Sequence, residues 1–405
     1  MKSLSINSQR LQERLNTLSE IGRLQPKGVC RLTLDEKDVE ARKLLSTWMT
    51  ELGLEIRVDE IGNMFGIYQG EKGNYVGTGS HLDTVPTGGY YDGALGVLAG
   101  LEVIETIIEH DVELPFSLVL TNFTNEEGVR FTPDMMGSLV YANPEKLEEC
   151  WSNSDKNGVT VKEALKSSGY LGEMKLGDIS FNHFIEVHIE QGPILEAERI
   201  DIGAVDRVQG IHWIKLIAIG QNAHAGTTPT PMRKDPFYAL GALSTFCRSL
   251  CEELEELKVT IGSVDVFPNA INIIPQRIEA TLDIRHPDQA SFDHAVQRIY
   301  AFIEEDVSFK DLESSIEELV HIDPIKFDES LVKWIIEAGS DLGYRSKRMY
   351  SGAGHDAQLL ASKYPSAMIF IPSENGISHA IEEYSSPEDI TKGANVLLHT
   401  ILNLS

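Results

Sequence analysis

Basic residues are scarce in this 405-residue chain. Lys and Arg number 35 against 62 Asp and Glu, a formal charge of −27. So large an acidic surplus repels polyphosphate and anionic lipid, which argues against nucleic-acid and membrane-surface partners. No apolar run approaches the ~20 residues that span a bilayer, and the amphipathic N-terminus (Leu11, Leu15, Leu18 and Ile21 on one stripe) lacks the apolar core of a secretory signal. Cysteine is nearly absent too: Cys30, Cys150, Cys247 and Cys251 are too few for a disulfide scaffold, and no C-x-x-C pair offers a thiolate zinc site. The expected setting is a reducing cytoplasm. Repeats of 20–50 residues and low-complexity tracts are missing, which excludes solenoids and propellers.

What remains is an ordinary globular composition, 42% hydrophobic and 24% charged. Its length points to two or three domains, because single cores rarely grow past ~250–300 residues. Val76–Ser80, Ser117–Phe123, Phe184–His188 and Ala367–Ile371 read as strands, and Leu95, Leu98, Val103, Ile104, Ile107 and Ile108 as a helical stripe. Strands alternating with helices predict an α/β sheet covered on both faces. Residues 209–320 read differently. Ile211–Ile219 and Ile271–Arg285 are long strand-like runs, and Pro236–Leu257 and Ser291–Glu305 are helical. That β-α-β-β-α order predicts a small α+β domain inserted between catalytic segments 1–208 and 321–405.

Polar residues near predicted strand ends carry the chemistry. In Gly79-Ser80-His81-Leu82-Asp83-Thr84, an extended backbone turns His81 and Asp83 to one face. His81 can then ligate a metal while Asp83 orients its ring. Asp92 follows a glycine-rich turn and fits either a bridging carboxylate or a helix N-cap. Glu126 and Glu127 are adjacent after a strand, where they repel unless a cation is near; a solvated loop would also account for them. His188 ends an apolar strand in EVHIEQG, and His379 lies in a late loop. Three His, one Asp and one Glu are donor types that borderline divalent metals prefer.

The blocks GSHLDT, TNEEGVRF, EVHIEQG, NAHAGTTP, GAGHDA and GISH, in this order, resemble the M20 metallopeptidase-related amidohydrolases, specifically the hydantoinase/carbamoylase branch. The resemblance implies a dinuclear centre of two divalent ions (Zn, Mn, Co or Ni) with His81, Asp92, Glu127, His188 and His379 as ligands and Asp92 bridging. It places Glu126 as general base and Asp83 beside it in the catalytic set. It implies substrate contacts from Gln191, Gly354 and His355, and from His224, Asn272, Arg285 and Trp213 of an inserted lid that also forms a homodimer. Arg285 would clamp a substrate carboxylate, and His224 would stabilise the oxyanion across the dimer. His188 separates the chain from aminopeptidases and aminoacylases, which usually carry a carboxylate there. Trp213 resembles the carbamoyl-amino-acid enzymes, since allantoate-cleaving relatives tend to have Arg. The implied activity is hydrolysis of N-carbamoyl-L-amino acids, with allantoate amidohydrolase, β-ureidopropionase and an inactive ligand-binding protein as alternatives.

Overall fold

The computed structural model of the chain describes residues 4–70 and 73–404. Met1–Ser3, the start of the amphipathic N-terminus, lie outside them. The helix expected there runs Ser8–Ser19, is capped by the Asn7 side chain, and buries Leu11, Leu15 and Leu18. Among the described residues no helix is long and apolar enough to cross a membrane.

Two compact units emerge: Met1–Asp206 with Lys326–Ser405, and Arg207–Ile325. The inserted unit begins two residues before the expected 209 and ends five after the expected 320. The larger unit is built on a nine-stranded sheet. Its centre is parallel, in the order Ser117–Phe123, Tyr75–His81, Phe181–Ile189, Ser366–Ile371. Every residue of Ser117–Phe123 and Ser366–Ile371 is buried, which is why these strands read as continuous apolar runs rather than alternating ones. Helices Ala94–Glu109 and Pro387–Asn403 pack on the sheet and on each other. Because the central strands run the same way, the chain just after His81, Phe123, Ile189 and Ile371 emerges at one end of the sheet. There, open α/β sheets form crevices.

The inserted unit is a four-stranded antiparallel sheet in the order Glu313–Ile322, Gly210–Ile219, Arg277–His286, Lys258–Phe267. Ile214, Leu216, Ala218, Ile278, Ala280 and Leu282 alternate inward against helices Pro236–Glu253 and Gln289–Glu305. The order is β-α-β-β-α-β, one strand more than the sequence reading. Glu313–Ile322 escaped that reading because it is a charged, largely exposed edge strand, and exposed edges carry little hydrophobic pattern. A second correction concerns Ile271–Arg285, expected as one strand. It divides at Pro275-Gln276 into the short Ile273–Ile274 and the long Arg277–His286, as a proline without a ladder donor demands. Ile273–Ile274 pairs instead with Ala223–His224, making a small arm.

Candidate metal centre

His81 ends its strand with a buried imidazole, and Nδ1 lies 2.9 Å from the main-chain carbonyl of Asp83. The Asp83 carboxylate was expected to orient that ring, but its Oδ1 stays 3.9 Å away. It accepts instead from the Thr33 hydroxyl at 2.8 Å and from the Glu126 and Glu127 amides at 3.3 Å. Asp83 therefore fixes the turn that carries the two glutamates. Its carbonyl orients His81, because the carboxylate oxygens are taken up by the Thr33 hydroxyl and the two glutamate amides.

Asp92 does not cap the following helix; Gly93 holds the N-cap position without a side-chain bond. Gly93 has φ 64°, and a Cβ there would come within 2.4 Å of the His81 ring. The Asp92 carboxylate is thus free to lie among imidazoles. Its Oδ1 is 3.2 Å from His188 Nε2 and 3.7 Å from His81 Nε2, while Oδ2 is 3.2 Å from His379 Nε2. Glu127 Oε2 lies 3.5 Å from His379 Nε2, and Glu126 Oε2 lies 3.4 Å from His81 Nε2. Two donor groups result, His81–Asp92–His188 and Asp92–Glu127–His379, and they share Asp92. The second carboxylate of the glutamate pair, Glu126, stands beside the first group.

Electrostatics sharpen this arrangement. Burial, then Glu127 and Asp356, push the Glu126 carboxyl well above the usual range. Burial, then Asp92 and Asp83, bring Glu127 up to about 9. Burial opposes ionisation of Asp92 as well, but its contacts with His188 and His379 outweigh it and hold Asp92 well below the usual range. A cleft of about 140 Å³ is lined by Asp92, Glu126, Glu127, His188, Gln191 and His379 among others, and no lysine or arginine lines it among the described residues. Clustered N and O donors with several carboxylates and no basic side chain suit divalent cations. The residues present fit such ions.

Other expected residues of this unit fall at the same end. Gln191 donates from Nε2 to Asp92 Oδ2 at 2.9 Å, and its buried Oε1 has no hydrogen-bond partner among the described residues. His355 is buried, bonds Ser351 through Nε2 at 2.9 Å, and packs edge-on to His188; burial, then His188, hold it neutral, well below the usual range. Sequence reasoning missed Glu383, whose carboxylate accepts the Tyr91 and Asp92 amides at 3.0 and 3.1 Å and so sets the Asp92 backbone. It also missed Glu186, buried and bonded to Ser80 and the Ala357 amide. Glu186 was findable, being two residues from His188 on the same strand face; nothing local marks Glu383.

Four expected substrate residues belong to the inserted unit. His224 is the cross-strand partner of Ile273, and Asn272 accepts the Ala225 amide through its carbonyl at 3.0 Å. His224 Nδ1 accepts the Gly226 and Thr227 amides at 3.0 and 3.2 Å, so its proton sits on Nε2. Trp213 and Arg285 project from the sheet face opposite the helices, where Arg285 is held by Asp283 through Nε at 2.9 Å. Arg277 marks the end near the arm, and eight residues at about 3.4 Å each set Arg285 about 27 Å beyond it. The unit therefore brings His224 to Asn272 and Trp213 to Arg285, and keeps the pairs apart.

The profile of peptidase family M20/M25/M40 matches residues 77–403. An N-carbamoyl-L-amino-acid amidohydrolase of Rhizobium meliloti is 38% identical over 98% of this chain and 96% of its own length. An allantoate amidohydrolase of Bacillus subtilis is 33% identical, over 96% and 95%. The crystal structure of a hydantoinase/carbamoylase-family amidase from Burkholderia multivorans superposes with a TM-score of 0.95 at 39% identity, covering 99% of this chain and 98% of that one. With the parallel sheet and the acid–imidazole cluster at its end, these matches establish that the chain belongs to family M20, in its hydantoinase/carbamoylase branch of amidohydrolases.

Proposed function

We propose that the chain hydrolyses the ureido C–N bond of N-carbamoyl-L-amino acids to the L-amino acid, ammonia and CO2, using two divalent cations (Zn, Mn, Co or Ni). The observation that carries this reading is Asp92, whose two oxygens face two different donor groups. One cation would be held by His81, Asp92 and His188, the other by Asp92, Glu127 and His379. Such a pair supplies an acidified water and a polarised carbonyl, both needed because two nitrogens donate into the ureido carbon.

The remaining work falls to side chains. Glu126 Oε2 takes the proton of the attacking water and returns it to the leaving nitrogen. His224 presents Nε2–H to the developing oxyanion. Arg285, oriented by Asp283, grips the substrate carboxylate as a fork, beside Trp213. Gln191, Asn272, Gly354 and His355 shape the rest of the pocket. A carbamoyl amino acid is much shorter than the ~27 Å along Arg277–His286, which favours drawing His224 and Arg285 of one site from different copies of the inserted unit. The reading therefore includes a homodimer through this lid, in which His224 and Asn272 of one protomer complete its partner's site. The substrate choice rests on Trp213 and on the similarity to the R. meliloti protein.

Ammonia release from N-carbamoyl-L-methionine with Mn²⁺ or Co²⁺ tests it, beside allantoate, 3-ureidopropionate and a chelated sample. The highest kcat/KM is expected with the carbamoyl amino acid. A higher value for allantoate or 3-ureidopropionate would move the substrate, and no release from any of the three with metal bound would leave a binding protein.

A further inference from the structure

The inserted unit holds its own group of donor side chains. His212 on Gly210–Ile219 and His321 on the edge strand Glu313–Ile322 are cross-strand partners, and their Nδ1 atoms lie 2.9 Å apart. The pairing of those strands shifts register between Glu318 and Val320. The extra residue, Leu319, lets Glu318 join His321 on the face where His212 is buried. Glu318 Oε2 is 3.9 Å from His212 Nδ1, and the three side chains offer donor atoms within 4.8 Å of one another.

The surroundings of both rings are those of ligands. His321 Nε2 lies 3.2 Å from Asp323 Oδ1. A carboxylate only accepts, so this nitrogen carries the proton and Nδ1 carries a lone pair aimed at His212. Gln289 donates to the same Asp323 oxygen at 2.9 Å, and Phe292 packs against the His321 ring. His212 Nε2 meets the Tyr300 hydroxyl at 3.2 Å. That hydroxyl can accept from Nε2–H, which would leave His212 Nδ1 a second converging lone pair. Burial, and then His321, lower the basicity of His212, as a neutral ligand requires. Two metal–nitrogen bonds of about 2.05 Å span about 2.9 Å at a right angle and about 3.3 Å at the tetrahedral angle zinc prefers, so the observed 2.9 Å opens by about 0.4 Å when zinc enters.

We propose that His212, His321 and Glu318 form a further divalent transition-metal site, of a kind that takes Zn²⁺, Co²⁺ or Ni²⁺. Asp323 and Tyr300 orient the two imidazoles, as carboxylates and hydroxyls do behind metal-bound histidines. The ion clips the exposed edge strand to its neighbour, and the exposed Glu318 closes on it from solvent. Binding moves the His212 ring proton from Nδ1, where it bridges to His321 Nδ1, to Nε2 facing the Tyr300 hydroxyl, so both neutral imidazoles ligate through Nδ1 and no net proton is released.

The test uses the untagged full chain, dialysed against Zn²⁺ and analysed for zinc per chain beside His321→Ala and Asp323→Asn. The wild type should retain one zinc more than His321→Ala. Asp323→Asn should raise the Kd of that ion about 10–100-fold; it keeps both imidazoles, so the test stands even where His321→Ala fails to fold. Zinc anomalous scattering should place an ion between the His212 and His321 Nδ1 atoms. Equal zinc in wild type and folded His321→Ala, an unchanged Kd in Asp323→Asn, or anomalous density at the Asp92 centre alone would leave a hydrogen-bonded histidine pair and overturn the proposal.

Discussion

In the larger unit the central strands are parallel and buried along their length, and their polar residues are gathered where the strands end. In the inserted unit the strands are antiparallel, two helices pack on one face, and Trp213 and Arg285 lie on the other. His188 and His212 make the contrast at one residue type. Both are buried on strands. Burial pulls His188 down, but Asp92 outweighs it and brings the ring up to about 9; burial and His321 push His212 the other way. Neighbours, not burial alone, decide the charge. One unit gathers carboxylates around its buried histidine in a cage that suits cations, and the other sets its buried histidine against a second imidazole and a tyrosine hydroxyl.

Breaking the cage should have the largest effect. Removing divalent ions with a chelator should abolish ammonia release and Mn²⁺ should restore it; activity that survives chelation would detach the chemistry from the Asp92 cluster. Glu126→Gln comes next, lowering kcat ~10²–10⁴-fold with metal content unchanged by elemental analysis; near-normal kcat would remove Glu126 as the base. His224→Ala probes the other unit and should depress kcat alone. Mixed with Glu126→Gln, it should regain roughly a quarter of wild-type activity, since a C₂ heterodimer rebuilds one intact site. No recovery on mixing would place His224 outside its partner's site. Arg285→Lys should raise KM about tenfold, or 1.4 kcal/mol, because an ammonium cannot reproduce the fork; an unchanged KM moves the clamp elsewhere. Smallest is Asp288→Ala, which removes the cap that accepts the Ser291 amide at 2.9 Å. It should cost ~1 kcal/mol in denaturant unfolding and leave kcat alone. The Ser291 amide holds the Asp288 carboxyl below its ordinary range, so the cap's contribution is present above the ordinary carboxylate pKa and fades as pH falls below it.

Much of this was legible along the chain. The apolar runs at Ser117–Phe123 and Ala367–Ile371 mark buried strands because parallel strands covered on both faces need no alternation. The acids and histidines of the centre were marked by their places after such runs. Glu313–Ile322 was not legible, since an edge strand with solvent on one side can be written in glutamate and serine. Ile271–Arg285 misled because its apolar residues continue through Pro275, whose missing donor is what breaks the pairing. Glu383 was silent: its carboxylate serves the Asp92 backbone from nearly three hundred residues away, a distance at which no pattern survives.

The sequence by itself determined which chemistry was available. Residue types, strand periods and the acidic surplus are local properties that need no coordinates. Only the tertiary structure decided that Asp92 would offer one oxygen to each of two donor groups, that a carbonyl rather than the Asp83 carboxylate would orient His81, and that a one-residue bulge would carry Glu318 round to His321. Those outcomes depend on distances of a few ångströms between segments far apart in the chain, and such distances exist only once the sheets have closed.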